Sequence, residues 1–184
     1  MESFTDNAGA DRYTCVFCKT GSEQSVAHAI MTLFPGLYAT PVRQIKHQST
    51  NGVKTLKEHI LLPGYVFISV PFDITGVNLY DCGRLPDVYR LLTDGEGHWE
   101  LQGTDEAFAR WIINNKGLIG LSQAYMAGDK VQLLSGPLKE REGNIIKIDR
   151  RGRNGLIEFV FDGRARRVWL AFEFTEMRVV TRKE

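Results

Sequence analysis

Hydrophobic positions along this chain follow first a mixture of helical and strand periods, then strand period alone. Tyr13 to Cys18 is a short β-like run. Thr20-Gly21-Ser22-Glu23 resembles a helix start, with capping-box spacing between Thr20 and Glu23 and Ser22 as an alternative cap. Val26, Ala27, Ile30, Leu33 and Phe34 recur at helical spacing, and Pro35-Gly36 ends that helix. Tyr38 to Lys46 reads as a strand. The polar stretch Gln48 to Lys57 carries Asn51-Gly52 near its centre, a hairpin signal. A return strand runs through His59 to Val70, with Pro63-Gly64 as a bend or bulge. Val88 to Leu92 predicts another strand, and Asp94-Gly95-Glu96-Gly97 a turn. Thr104-Asp105-Glu106 predicts the start of a second helix with an inner stripe of Ala107, Phe108, Trp111 and Ile112. The expected fold class for this part is an α+β sandwich, an antiparallel sheet with helices.

After Asn114-Asn115-Lys116-Gly117 the helical period disappears. Leu118 to Met126 reads as a connector. Val131 and Leu133 alternate with polar neighbours, and Ile146, Ile148 and Leu156 to Phe161 follow. Asp162-Gly163 is a two-residue hairpin turn, and Val168 to Phe174 and Met177 to Val180 complete the series. Five short strands in this space predict an all-β small barrel of the SH3-like kind. The expected organisation is a polar, disordered tail over 1–11, an α+β domain over 12–116, a linker over 117–126 and the barrel over 127–184.

Composition adds a class. The 184 residues are 43% apolar and 24% charged, the balance of a globular protein. No continuous apolar run is long enough to span a bilayer, and the N-terminus lacks the basic-then-apolar order of a secretory signal. Three cysteines, Cys15, Cys18 and Cys82, form no disulfide framework, so a reducing cytoplasm is the expected compartment. The net charge of +1 hides an asymmetry. Residues 127–184 hold 13 Lys/Arg against 9 Asp/Glu, a net of +4, and the remainder holds 10 against 13, a net of −3. Positive charge gathered in the C-terminal third hints at nucleic-acid contact.

Catalytic and metal chemistry find no support. Cys15-Val16-Phe17-Cys18 has C-x-x-C spelling, but in a strand positions 15 and 18 point to opposite faces. His28, His47, His59 and His98 are scattered, whereas zinc needs converging ligands. No phosphate-binding glycine loop, nucleophile elbow or carboxylate pair is visible. The expectation is a protein that is not an enzyme and uses no cofactor or metal.

Two motifs carry a resemblance. Leu61-Leu62-Pro63-Gly64-Tyr65-Val66-Phe67-Ile68 resembles the "FFPGYV" strand of the NusG N-terminal domain, and Tyr13 through Gly21 resembles that domain's first strand and turn. Gly128-Asp129-Lys130-Val131 through Ser135-Gly136-Pro137 to Glu142-Gly143-Asn144-Ile145 looks like a KOW motif. Order, spacing and length together resemble the NusG family of transcription elongation factors. That resemblance implies an N-terminal domain that binds the clamp helices of RNA polymerase and a KOW domain that recruits a further partner. Phe17-Cys18-Lys19 resembles the "YCK" of RfaH, which points to the specialised antiterminators (RfaH-like and LoaP-like). In the specialised reading the KOW domain binds a leader RNA hairpin and action is confined to particular operons. A general factor whose KOW domain recruits Rho or the ribosome stays open, as does a ribosome-associated KOW protein that binds ribosomal RNA.

The residues suggest where contacts lie. After Gly64 the strand is apolar on both faces, with Val66, Ile68 and Val70 on one and Tyr65 and Phe67 on the other. One face can meet the domain's own helices; the other needs a cover. Phe17, Leu62, Tyr65 and Phe67 are the expected polymerase-binding patch, at positions where the family resemblance implies contact. Ordinary core packing is the other reading of these four. Lys19 opens the turn after the first strand and is a candidate contact to the non-template DNA strand, or a solvated lysine. In the barrel, Lys139 and Arg141 are expected near one end with Arg164, Arg166 and Arg167, while Arg150, Arg151 and Arg153 lie at the other. Two cationic patches about 20 Å apart could straddle a nucleic-acid helix. Leu138-Lys139-Glu140-Arg141-Glu142 lacks the loop aromatics that housekeeping members use for protein partners, which favours RNA. The chain is expected to act as a monomer.

Overall fold

The computed structural model describes residues 11–51 and 53–175. In chain order the elements are β1 (Arg12–Cys18), α1 (Glu23–Leu33), β2 (Tyr38–Pro41), β3 (Arg43–Thr50), β4 (Val53–Ile60) and β5 (Tyr65–Val70). A 3-10 turn (Leu79–Arg84), β6 (Val88–Leu91) and α2 (Gly103–Asn114) follow. Then come β7 (Leu118–Ile119), β8 (Ser122–Ala127), β9 (Lys130–Ser135) and α3 (Pro137–Glu140). The strands β10 (Ile145–Asp149), β11 (Asn154–Phe161) and β12 (Arg164–Phe174) complete the described chain. Two compact units emerge: Met1–Arg43 with Ile60–Leu118, and Gln44–His59 with Ile119–Glu184.

The first unit is an antiparallel sheet in the order β2-β5-β1-β6 with helices on it. Register places Val16 opposite Val66 and Thr14 opposite Ile68, and these side chains share a face with Cys18 and Val70. Val26, Ala27 and Ile30 of α1 pack on that face, together with Leu79, Cys82 and Leu91. Leu33, expected in the same stripe, is 60% exposed, because the stripe continues through Met31 and Phe34 and leaves Leu33 to one side of it. The other face carries Cys15 opposite Phe67 and Phe17 opposite Tyr65. Its cover is α2: Phe108 meets the Phe67 ring edge-on at 5.8 Å, and the Arg110 guanidinium lies 6.0 Å from the Tyr13 ring. The buried stripe of α2 is Phe108, Ala109, Trp111 and Ile112, with Ala109 in place of the expected Ala107.

The helix start differs from a capping box. Ser22 is the cap residue, but its hydroxyl donates to Asp87 at 2.8 Å rather than bonding the helix. Glu23 is buried, and its two carboxylate oxygens accept from the Gly21 and Gly64 N–H groups, each at 2.8 Å. A carboxylate in the first turn is also favoured by the helix dipole. Gly64 has φ +83, and a Cβ there would sit 2.7 Å from the Phe17 ring. The bend expected at Pro63-Gly64 is thus tied to the start of α1.

The second unit is a curled all-β sheet in the order β10-β11-β12-β8-β9. All pairs are antiparallel except β12 with β8. Residues 122–126, expected in a linker, are therefore part of a strand. Ser122 and Ala124 are buried but too small to mark a hydrophobic period, and the strand exists because β12 and β9 flank it. The strand expected at Met177 to Val180 lies outside the described residues. Buried Leu133, Leu138, Ile157, Phe161, Leu170 and Phe172 fill the interior. Gly136, at φ +88, turns the chain so that the buried Leu138 N–H reaches the Ser122 hydroxyl at 2.8 Å. The long β3–β4 hairpin, turned at Asn51 with φ 52, belongs to this unit. With its amide nitrogen toward β12, Gln44 donates to the Trp169 carbonyl at 2.7 Å.

Replacing Glu23 by Ala strands the buried Gly64 N–H, which should cost about 1–3 kcal/mol of stability, while the exposed Gly21 N–H can turn to water. Urea unfolding of Glu23→Ala against the parent measures this. An unchanged midpoint would show that the carboxylate does not hold the turn.

Candidate nucleic-acid and protein interfaces

The four residues expected to form one open apolar patch separate in the structure. Phe17 is half-buried, whereas Leu62, Tyr65 and Phe67 are buried at 5%, 7% and 0% exposure. Phe67 belongs to the core under α2, so the expectation of a fully open second face is corrected: the domain covers it with its own helix. What remains at the surface is an aromatic edge. The Phe17 ring lies 5.1 Å from Tyr65 and 5.7 Å from Tyr89, and Tyr89 is 64% exposed. Such tilted pairs hold rings in fixed mutual orientation. Tyr89 was not legible as a site residue. It reaches Phe17 because the β1–β6 register shifts between Phe17 and Cys18, and a bulge of that kind re-aims side chains. Arg90 stands opposite Phe17 across the strands, and Lys19 is exposed just beyond β1, so cations flank the aromatic edge.

The two cysteines of the C-x-x-C spelling do point to opposite faces. Cys18 sits with Cys82 in the α1-side core, and Cys15 faces Phe67. All three cysteines are buried free thiols. Burial pushes Cys18 up to about 11, helped by the charges of Glu23 and Asp87. Burial likewise pushes Cys82 up to about 11, with Asp81 adding to it.

In the second unit the expected cations divide into engaged and open groups. Lys139 is ion-paired to Glu142 at 2.6 Å, and the Arg167 Nε to Glu158 at 2.6 Å. Arg141 is half-buried, and burial lowers its pKa, with Glu140 opposing. Arg166 is half-buried. Arg153 is exposed, with its guanidinium 5.8 Å from the Phe174 ring. Arg164 is exposed at the Asp162-Gly163 turn. Arg150 donates from Nη1 to the Asp129 carbonyl at 2.8 Å, and Arg151 is exposed beside it. The turn at 150–153 and the turn at 162–163 lie at opposite ends of β11, as expected. The placement of Lys139 near the Arg164 end is corrected. Leu138 packs on Gly155, at the 150–153 end of β11, because its buried side chain anchors α3 across the interior.

Among the described residues no group of three or more His, Cys, Asp or Glu could hold a metal ion. No helix of the described residues is long and apolar enough to cross a membrane. No protein-family model matches the sequence, and no curated protein matches it. A solved structure of Thermotoga maritima NusG, described as showing domain interaction in that protein, is similar at 20% identity and a TM-score of 0.45. The alignment covers 88% of this chain and 94% of that one.

The raised thiols make a direct expectation. At about pH 8 a thiol reagent such as DTNB should label none of the three cysteines in the folded protein and all of them in urea. Rapid labelling of the folded chain would contradict the burial. The sign for stability follows from linkage. The folded state keeps the Cys18 and Cys82 protons longer, so their effect is to lower stability as pH rises from the ordinary 9.0 towards 11.

Proposed function

We propose that this chain is a transcription elongation factor of the NusG type, a specialised one that increases the processivity of RNA polymerase over particular operons. In this reading the first unit is the polymerase-binding domain and the second is a KOW domain that holds RNA. The observation that carries it is the Pro63-Gly64-Tyr65 turn packed against Phe17, which leaves an aromatic edge of Phe17 and Tyr89 at the surface, backed by the buried Tyr65 ring. An edge of rigid aromatics flanked by Lys19 and Arg90 suits a helical partner with an apolar stripe and acidic flanks. The clamp helices of RNA polymerase are that partner in the family the motifs resemble.

For the second unit, Arg150, Arg151, Arg153 and Arg164 supply exposed cations for phosphate. The loop after Gly136-Pro137 argues against a protein partner, since its one apolar side chain, Leu138, is buried in the domain's own interior. The protein acts as a monomer in the cytoplasm and performs no catalysis in this proposal. Lys19 is its contact to non-template DNA.

Polymerase capture tests the first half. Phe17→Ala and Tyr89→Ala should each weaken retention of purified polymerase by at least about tenfold, the scale of an interface hot spot. Tyr80→Ala, an exposed aromatic elsewhere on the unit, should leave it unchanged. Equal retention by all three variants would sink the aromatic edge as the contact. No retention by the parent protein would favour a ribosome-associated role.

A further inference from the structure

The cations of the second unit are not equivalent, and the difference selects the form of nucleic acid. Lys139 and Arg167 are already ion-paired, and Arg141 and Arg166 are half-buried. A clamp on both sides of a double helix would need cations at both ends of β11 that are open to phosphate. At the 162–163 end, among the described residues, Arg164 is exposed and outside the Arg167–Glu158 ion pair. At the other end lies a depression of about 510 Å³ lined by Lys147, Ile148, Asp149, Arg150, Arg151 and Trp169.

This depression combines a ring with cations in fixed register. Lys147 stands opposite Leu156 on the neighbouring strand, and Leu156 stands opposite Trp169 on the next. Directly opposed residues share a face, so Lys147 and Trp169 flank Leu156 about 10 Å apart. Trp169 is half-buried, and among the described residues no aromatic ring or guanidinium stacks on it. Its backbone is fixed on both sides by the β11 ladder and the Gln44 amide. Arg150 is oriented by the Asp129 carbonyl, and Asp149 by the Gly152 N–H at 3.0 Å. No ion pair among the described residues involves Lys147, Arg150 or Arg151.

We propose that this depression binds an unpaired nucleotide, its base stacked on Trp169 and its flanking phosphates held by Lys147, Arg150 and Arg151. An indole face accepts any base, and base stacking on an aromatic requires the base to be out of a duplex. The Asp149 carboxylate, at the rim, can accept from an exocyclic amine or ring N–H of that base. A duplex presents phosphates but no free base face, so the cations alone would meet it. The proposal rests on the RNA-binding reading of the second unit and narrows it to a loop, bulge or single-stranded stretch.

Fluorescence anisotropy with the full-length protein tests it on four probes of equal length. These are a mixed-sequence single-stranded RNA, the same sequence in DNA, a blunt RNA duplex, and an abasic strand that keeps the phosphates. The single strand should bind at least about fivefold more tightly than the abasic strand, the lower end of what one base stack contributes. Trp169→Leu should lose that preference and Trp169→Phe should keep it. Arg151→Ala, at an exposed position, should weaken all strands and reduce the salt slope by about 0.7. Similar affinity for RNA and DNA would name the single strand of the transcription bubble as an equal source; preference for RNA would name the transcript. Equal binding of abasic and natural strands, or a duplex preferred over single strands, overturns the stacking site while the RNA reading stands. Binding of none of the four overturns both. The abasic comparison decides the matter even if Trp169→Leu does not fold.

Discussion

The carboxylate of Glu23 is the tie on which the first unit's aromatic edge depends. It accepts from the Gly21 N–H, in the turn leaving β1, and from the Gly64 N–H, in the turn entering β5. Both turns need a left-handed glycine, with φ +93 at Gly21 and +83 at Gly64, so neither is held by local preference alone. By bonding both, one buried side chain sets the spacing between the end of β1, the start of α1 and the start of β5. The absence of a side chain at Gly64 then leaves the space that the Phe17 ring occupies. Phe17 in turn orients Tyr65 and Tyr89. A polar contact in the core thus fixes an apolar feature at the surface.

The two faces of the sheet illustrate how a strand without polar alternation can be satisfied. Val66, Ile68 and Val70 find α1, while Phe67 finds Phe108 of α2. Burial on both sides makes β5 the centre of the unit and leaves the exposed aromatic edge to the ends of β1 and β6. In the second unit the logic is electrostatic. Charges on the β11–β12 face neutralise each other, as Arg167 and Glu158 do, whereas those around the 150–153 turn remain available.

Much of this was legible in the sequence, for reasons that can be named. The helical period of Val26, Ala27 and Ile30, the turn at Asn51, the Asp162-Gly163 turn and the Pro63-Gly64 bend are local signals, and each appears where expected. The opposition of Cys15 and Cys18 followed from strand geometry. What escaped was set by distant partners. β8 is a strand because β12 and β9 flank it, although Ser122 and Ala124 carry no strong pattern. Phe67 read as part of a patch because nothing local announced that Phe108 of α2 would cover it. Tyr89 joined the edge through a register shift invisible to periodicity. Trp169 gained its setting from Lys147, two strands away in the sheet.

The central claim is that one unit engages the polymerase while the other holds RNA, so that the chain acts on elongation only where the RNA is right. Single-round transcription over tandem intrinsic terminators, with and without an upstream leader carrying a hairpin with unpaired bases, tests it most directly. The account predicts increased readthrough by the full-length protein on the leader template and little on the other. Equal action on both templates, or increased termination on either, would contradict it.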